Sequence, residues 1–410
     1  MAQVASAQGW SAPDPEARRA AAAARDRPRG AITPIVGHDT QAALQSAIER
    51  YRRIVDRGGW QPIPKGPPLR AGDNDERVEL LQRRLMAEGD VVVGGGWGFD
   101  SGLEAGLKRF QERHGLRASG IVNGETLAML NVPAGARLAQ LTTSADRIAQ
   151  LVPQLRGPHV LVNVPAFELQ VVAGQRVILY SRVIVGKPAT ATPEVTATIR
   201  AVDLMPYWHV PPGIAQRAII PAIRKDPTYL ARERIRVFSA WGGAEVDPAQ
   251  VNWFAPQSSR YVFRQDPGPH NALGLVRIDM PNQHTVYMHD TPLKRLFESR
   301  SRAFSAGCVR VRGVFELAGL LLGEDEESVR RRLEPLLASG ERATLKVVQT
   351  IPVHFVYLTA WADPDGRVEF RHDIYDKDGV HAQVVALGPA AAAAPEAADP
   401  WHTRILHVSP

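Results

Sequence analysis

The reading of this chain turns on Tyr287-Met-His-Asp-Thr-Pro292 and, shortly after it, Phe304-Ser-Ala-Gly-Cys-Val-Arg-Val311. Cys308 is the single cysteine among 410 residues. His289 lies 19 positions upstream, on a run where Val286 and Met288 alternate with Tyr287 and His289, the period of a strand. Gly307, directly before the cysteine, lets backbone N–H groups face whatever the sulfur attacks. A thiol, an imidazole and free amide donors are the parts of acyl transfer through a thioester. Each residue also has a plainer reading. A lone cysteine is most often a small buried hydrophobe, and a lone histidine a satisfied core or surface residue. It is the combination that points to chemistry.

Alternation dominates the sequence around this stretch. From His159, apolar residues recur at every second position: Val160, Val162 and Val164, then Leu169 and Val171, then Val177, Leu179 and Val183. Ala173-Gly174-Gln175 reads as a hairpin turn. Val276, Ile278 and Met280 form another strand, Pro281-Asn282 turns, and Val286–His289 returns. Residues 211–268 interrupt the strands with a helix candidate, Ile214–Ile223, a charged stretch, Tyr229–Arg236, and polar segments containing proline. Beyond Cys308, Val314–Leu322 reads as an apolar helix and residues 326–337 as a second, carrying Arg330–Arg332. Leu345–Thr359 alternates again, and Asp363-Pro-Asp-Gly366 is a turn.

Towards the N-terminus the spacing changes to three and four. Leu44, Ile48, Tyr51 and Val55 make one face of an amphipathic helix over residues 39–57, stopped by Gly58-Gly59. Trp60 with Pro62, Pro64, Pro67 and Pro68 forms a stiff connector. Val78, Leu81 and Leu85 share a helix face, as do Leu103, Leu107 and Phe110, so residues 73–133 read as a small helical module. Leu138, Leu141, Ile148, Leu151 and Leu155 mark a helical link. Residues 1–37, rich in Ala, Arg, Pro and Gln, read as a flexible arm, and residues 389–410 as a loose tail.

Composition narrows the class. Apolar residues make up 44% of the chain, enough for a sizeable core, and the length suggests two or three domains. No apolar run approaches the ~20 residues of a membrane span. Met1–Trp10 has no continuous apolar segment of the kind a secretory leader carries. One cysteine excludes an internal disulfide, and a thiol that no partner can trap suits an exported thiol enzyme. The net charge is +6, and residues 1–70 hold 11 Lys/Arg against 6 Asp/Glu, which accounts for nearly all of it. Such an arm helps attract an anionic polymer. No interleaved aromatic and basic patch supports nucleic acid. The 12 histidines form no HExxH or paired-cysteine pattern, so neither a metal nor another cofactor is expected.

His289-Asp-Thr-Pro292, the spacer, and Ser305-Ala-Gly-Cys-Val-Arg-Val311 together resemble the active-site motif of L,D-transpeptidases (the YkuD domain), most of all the large periplasmic members with an added peptidoglycan-binding domain. Val185-Gly-Lys-Pro188 with Thr192-Pro193, Pro206-Tyr-Trp-His-Val-Pro211 and Pro267–Gly274 resemble further segments of that family. Phe110-Gln-Glu-Arg-His-Gly-Leu116, Gly120-Ile-Val122 and Thr126–Leu130 resemble the peptidoglycan-binding module of cell-wall hydrolases, although Val91–Gly98 is Gly-rich for such a module and predicts a different groove. A helical bundle that binds nothing is the other reading of that module. The implied fold class is α+β: a β-sandwich-like catalytic domain with a capping insertion, plus a small helical domain. The expected boundaries are 1–37 arm, 38–72 helix and connector, 73–133 helical domain, 134–157 linker, 158–349 catalytic domain with its cap at about 211–268, 350–388 C-terminal strands and 389–410 tail.

The resemblance implies Cys308 as nucleophile and His289 as base, with the amides of Gly307 and Cys308 as an oxyanion hole, each donor worth roughly 3 kcal/mol. A free thiol with pKa ~8.5 is mostly protonated at neutral pH. An imidazole within reach can take that proton and later return one to the leaving amine. Its other ring nitrogen needs a partner, either the Asp290 carboxylate or a backbone carbonyl. Tyr287 shares the face of His289, as a hydrogen-bonding group near substrate or as a packed core residue. Arg310 is placed to grip a carboxylate, of substrate or of the protein. Ser305, Trp208 and Asn271 match family positions, with substrate-binding or local structural roles. Ala306 is the departure, since the family has histidine there, and it leaves space beside the nucleophile. The implied activity is cross-linking of peptidoglycan stem peptides, as 3→3 links or, at L-Ala, 1→3 links. The implied partners are stem peptides and glycan strands, and the implied location is the periplasm, with the leader removed. The alternative from another class is a catalytically impaired wall-binding scaffold, which Ala306 and the separate module both fit.

Overall fold

The computed structural model describes residues 32–91 and 98–379. The expected tail, most of the arm and most of the Gly-rich Val91–Gly98 segment lie outside these residues.

The alternating segments pair into one large sheet. Its strands are β1 (His159–Asn163), β2 (Glu168–Ala173), β3 (Arg176–Gly186), β4 (Val195–Leu204), β9 (Val276–Asp279), β10 (Met288–His289), β11 (Ala303–Ser305), β12 (Val309–Val311) and β13 (Ala343–Val356). A smaller sheet holds β5 (Trp208–His209), β6 (Ile235–Phe238), β7 (Glu245–Val246) and β8 (Val262–Gln265), and β14 (Ala360–Ala362) pairs with β15 (Val368–Phe370). The order in the large sheet is β11-β3-β12-β10-β9-β4-β13-β1-β2, and β2 also pairs with β3, so the sheet curls back onto itself. Its concave face is apolar because every second residue is: Val162, Val171, Val183, Val202, Ile278 and Val309 meet in one buried core. A helix, Val314–Leu322, closes that core and stops at Gly323, whose φ of +69° suits glycine. Strand β13 pairs with β4 on one side and β1 on the other. The expected boundary at 349 would cut this strand in two. The correction follows from the alternation of Leu345–Thr359, which continues the large sheet rather than starting a separate unit.

The insertion has a core of its own. Trp208, Val210, Ile219, Ile223, Val237 and Phe263 cluster there, with Tyr287 packed against its edge. Helical turns over Pro212–Lys225 supply Ala215, Ile219, Ile220, Ala222 and Ile223 to this core, the small sheet supplies Trp208, Ile235, Val237 and Phe263, and Tyr229, Leu230 and loop residues complete it.

The N-terminal part is helical: α1 (Thr40–Asp56), α2 (Arg77–Glu88), α3 (Ser101–Arg113), α4 (Gly124–Leu130) and α5 (Ala134–Leu151). Asp100 and Asn123 cap α3 and α4 by accepting the N–H of Leu103 and Thr126. Leu81, Leu85, Leu107 and Phe110 form the core of the α2–α4 module. Helices α1 and α5 pack on β14 and β15 through Tyr51, Ile148, Trp361 and Phe370. Residues 32–37, expected as part of the arm, lie against the fold instead. Ile35 and Val36 are buried in this same cluster, and the Ile35 N–H donates to Gln170 Oε1 at 3.0 Å. Two apolar side chains with a large sheet beside them gain more from burial than the chain loses in ordering. No helix among the described residues is long and apolar enough to cross a membrane.

Candidate active site

Register places the chemistry. Strand β10 runs parallel to β12, with Met288 opposite Val309 and His289 opposite Arg310. The Val309 N–H donates to the Tyr287 carbonyl at 3.0 Å, which sets Tyr287 beside Cys308. On the other side β9 puts Arg277 opposite His289. Side chains alternate along each strand. Met288, Val309 and Ile278 therefore enter the core, while Tyr287, His289, Cys308, Arg310 and Arg277 share the opposite face.

Burial pushes the Cys308 thiol up from its ordinary pKa. Hydrogen bonds from the backbone and hydroxyl of Tyr287 act against this, as do the Arg310 and Arg277 charges. Tyr287 is itself held by the Trp208 side chain, and the Arg277 guanidinium lies 5.5 Å from its ring centroid. Burial and the neighbouring Cys308 keep the phenol protonated. His289 stands edge-on to Tyr287, ring centroids 5.7 Å apart. Burial, then the Arg310 charge, lowers its pKa to about 3, with backbone groups of Asp290 and Leu273 opposing. The imidazole is neutral at pH 7. Its buried Nδ1 has no partner at full hydrogen-bond geometry. None of the described hydrogen bonds joins His289 to Cys308; it is Tyr287 that touches the sulfur.

The loop before Cys308 is tied down on three sides. Ser305 Oγ donates to the Cys308 carbonyl at 2.6 Å and accepts the Gly307 N–H at 3.1 Å. Thr192 Oγ1 donates to the Gly307 carbonyl at 2.8 Å and accepts the Gly186 N–H at 2.8 Å. The Tyr375 hydroxyl donates to the Gly186 carbonyl at 2.5 Å and accepts the Thr192 N–H at 3.2 Å. Gly186 is required by this crowding, since a Cβ there would lie 2.1 Å from the Thr190 carbonyl oxygen. One expectation changes: the Gly307 amide, read as an oxyanion donor, is engaged by Ser305. The Cys308 amide has no acceptor among the described residues.

A half-buried thiol held by a tyrosine, with a neutral histidine on the same strand face, suits acyl transfer, and comparison with known proteins agrees. Residues 157–330 match the L,D-transpeptidase catalytic domain, and residues 74–130 match a "Putative peptidoglycan binding domain". The chain carries an L,D-transpeptidase catalytic domain. A "Putative L,D-transpeptidase" of Haemophilus influenzae is 32% identical over 240 residues, 58% of this chain and 48% of that protein, so the chain spans about half the length of the curated relative it matches. Among solved structures, the L,D-transpeptidase of Stackebrandtia nassauensis is 15% identical, covering 70% of this chain and 97% of its own, with a TM-score of 0.25. The L,D-transpeptidase from Mycobacterium smegmatis is 14% identical, covering 49% and 59%, with a TM-score of 0.22. Superpositions this loose carry no detail over to this chain.

Within the L,D-transpeptidase domain the remaining expected residues separate. Arg310 is buried beside His289. Trp208 is buried in the core of the insertion and meets the site at Tyr287. Asn271 is a correction. Its Nδ2 donates to the carbonyls of Pro206, Asp266 and Gln265, its Oδ1 accepts the Leu273 N–H, and it is fully buried, so it organises a loop instead of meeting substrate. Ser305 is likewise occupied inside its loop. The Asp290 carboxylate accepts the Leu275 N–H at 3.1 Å and pairs with Lys294, leaving His289 to the backbone. Ala306 is exposed at the loop tip. Arg277 was missed, although its place in the Val276–Met280 alternation put it on the face of His289. It is paired with Asp203 at 2.6 Å and Asp279 at 3.3 Å. Thr192 and Tyr375 left no signal for a role at the nucleophile loop, because only the tertiary fold brings them to it.

Proposed function

We propose that the chain is a periplasmic cysteine-dependent L,D-transpeptidase that cross-links peptidoglycan stem peptides. The observation that carries this reading is the shared strand face of Cys308, Tyr287 and His289 inside a domain of that family. Cys308 Sγ attacks the carbonyl carbon of a bond between an L-centre and a D-residue. Its proton passes to neutral His289 once a bound donor brings the two side chains together; free enzymes commonly hold such bonds long. The developing oxyanion is met by the Cys308 amide. The C–N bond breaks, the imidazolium protonates the leaving amine, and a thioester remains. An amine of a second stem attacks that thioester, loses its proton to His289 and restores the thiol. Tyr287 keeps the sulfur in place and donates to it as charge builds. The insertion excludes water from the thioester, favouring the amine over hydrolysis.

The donor bond is diaminopimelate–D-Ala, giving 3→3 links. The space beside Ala306 also admits the L-Ala–D-Glu bond, giving 1→3 links. Incubating the protein with disaccharide-tetrapeptides against a Cys308→Ala control tests both points by mass spectrometry. A Cys308-dependent acyl-enzyme and new dimers are expected, and dimer fragmentation names the bond. Only 3→3 dimers would remove the 1→3 reading. The absence of a His289–Cys308 hydrogen bond, together with Ala306, favours a second reading as a wall-binding scaffold; binding of intact substrate without acylation would select it.

A further inference from the structure

A cavity of about 450 Å³ opens between the helical module and the L,D-transpeptidase domain, a volume in the range of small-ligand sites. Three guanidinium groups line it, those of Arg70, Arg117 and Arg300, with the Asn123 side chain beside them. Arg117 belongs to the module and Arg70 to the end of the connector, which is stapled to the module here by the antiparallel bridge of Leu69 with Val122. Arg300 comes from the other domain, in the turn that leads into β11 and on to Cys308. It pairs with Glu125 of α4, which draws that turn onto the module. Among the described residues, neither Arg70 nor Arg117 has a carboxylate partner, and both are exposed. Glu125 is paired with Arg300, and Asp73 accepts the Arg70 backbone N–H at 2.9 Å. Two unneutralised guanidinium groups at a concave surface make a site for carboxylates, which arginine meets with paired N–H donors.

We infer that this composite cavity is a second peptidoglycan site, in which Arg70 and Arg117 hold stem-peptide carboxylates of a strand while Cys308 works on a stem elsewhere. The inference rests on peptidoglycan being the substrate polymer. Because Arg300 forms one wall, a strand bound here is gripped by both domains together, so the module presents the polymer to the catalytic domain instead of merely tethering the enzyme to the wall.

The test is cosedimentation of the full chain carrying Cys308→Ala with purified sacculi, using Arg70→Ala/Arg117→Ala, the charge-retaining Arg70→Lys/Arg117→Lys, and Arg83→Ala/Arg331→Ala as a charge-matched control. The alanine pair should weaken binding roughly five- to tenfold and the lysine pair by less, because lysine keeps the charge but not the paired donors, with the control close to the parent. Sacculi stripped of their stems by an amidase should bind the parent as weakly as intact sacculi bind the alanine pair. Equal binding by parent and alanine pair, an equal loss in the control, or undiminished binding to stripped sacculi would each overturn the site. Acylation of the Cys308 form by soluble tetrapeptide, measured by mass in parallel, reports the catalytic reading separately: its failure leaves the sedimentation result standing, and the reverse also holds.

Discussion

Glu88 should be the least replaceable charge in the molecule. Its carboxylate is fully buried at the end of α2. Arg113 pairs with it, Arg84 Nη1 lies 2.7 Å away, and the Tyr51 hydroxyl donates to it at 2.5 Å. The Arg84 contact is off the line of its N–H bonds, so that attraction is ionic, and the guanidinium stacks on the Trp60 ring at 3.6 Å. Burial alone would raise the Glu88 pKa, but Arg113 and Arg84 outweigh it and hold the group well below the usual carboxylate range. Removing one partner of a buried pair costs about 3–5 kcal/mol, because the other charge is left stranded. Arg113 keeps Asp90 at 2.9 Å, so Glu88→Ala strands mainly Arg84 and the tyrosine hydroxyl. That places the cost near the lower limit, about 3 kcal/mol, or roughly a hundredfold in a local opening constant. A chain with several cores need not unfold in one step, so the assay is native-state hydrogen exchange on peptides from α2 and α3. Glu88→Gln keeps an acceptor for Tyr51 and should cost less. The pH dependence has a definite sign. With its folded pKa depressed, Glu88 contributes stability that is present above the unfolded value of ~4.3 and lost as pH falls towards the folded one. Exchange in α2 and α3 should therefore accelerate below about pH 4.5. Acceleration under about fivefold for Glu88→Ala, or no acid dependence, would refute this account.

Three further outcomes concern the site. Tyr287→Phe removes the hydroxyl that touches the sulfur and should slow acylation about tenfold, one charge-assisted hydrogen bond, with substrate binding in the Cys308→Ala background unchanged; a wild-type rate would make Tyr287 a packing residue only. Iodoacetamide labelling of Cys308 should keep rising above pH 8.5, and Tyr287→Phe should push the midpoint higher, because burial raises the thiol while the hydroxyl favours the thiolate; a midpoint below about pH 8 contradicts the site as described. Gly274→Ala should cost about 3 kcal/mol in chemical unfolding, since φ is +64° and the new Cβ would lie 2.4 Å from Asp290 Oδ2; a loss below about 1 kcal/mol would mean that the Asp290–Lys294 pair gives way easily.

The large sheet was legible because its signal is local: Val160 to Val183 and Val276 to His289 alternate, and period 2 fixes which residues share a face. The same rule put Tyr287 on the face of His289, and Arg310 on that of Cys308; the pairing of the two strands came only with the fold. The rest depended on contacts between residues distant in sequence. Nothing in Asn271 announces that three carbonyls will surround its amide, and a family match alone could not separate that role from substrate binding. The Gly307 amide was misread because Ser305, two residues away, folds back on it, a turn that residue types do not encode uniquely. The boundary at 349 failed for the opposite reason: the alternation through Thr359 was read correctly, but the strand was not assigned to its sheet.

Tyr375 gives the nucleophile loop a dependence on the order of synthesis. The peptide carrying Cys308 leaves the ribosome long before the segment whose hydroxyl clasps Gly186 and Thr192. Until that segment and β13 arrive, the sheet lacks an interior strand and the loop lacks its last fastening. The nascent thiol is thus present without its final geometry, so a protein bearing one unpaired cysteine would assemble its reactive group last. The same reasoning makes residues 157–330 a poor excision, because such a fragment would keep both ends of the chemistry and discard the clasp.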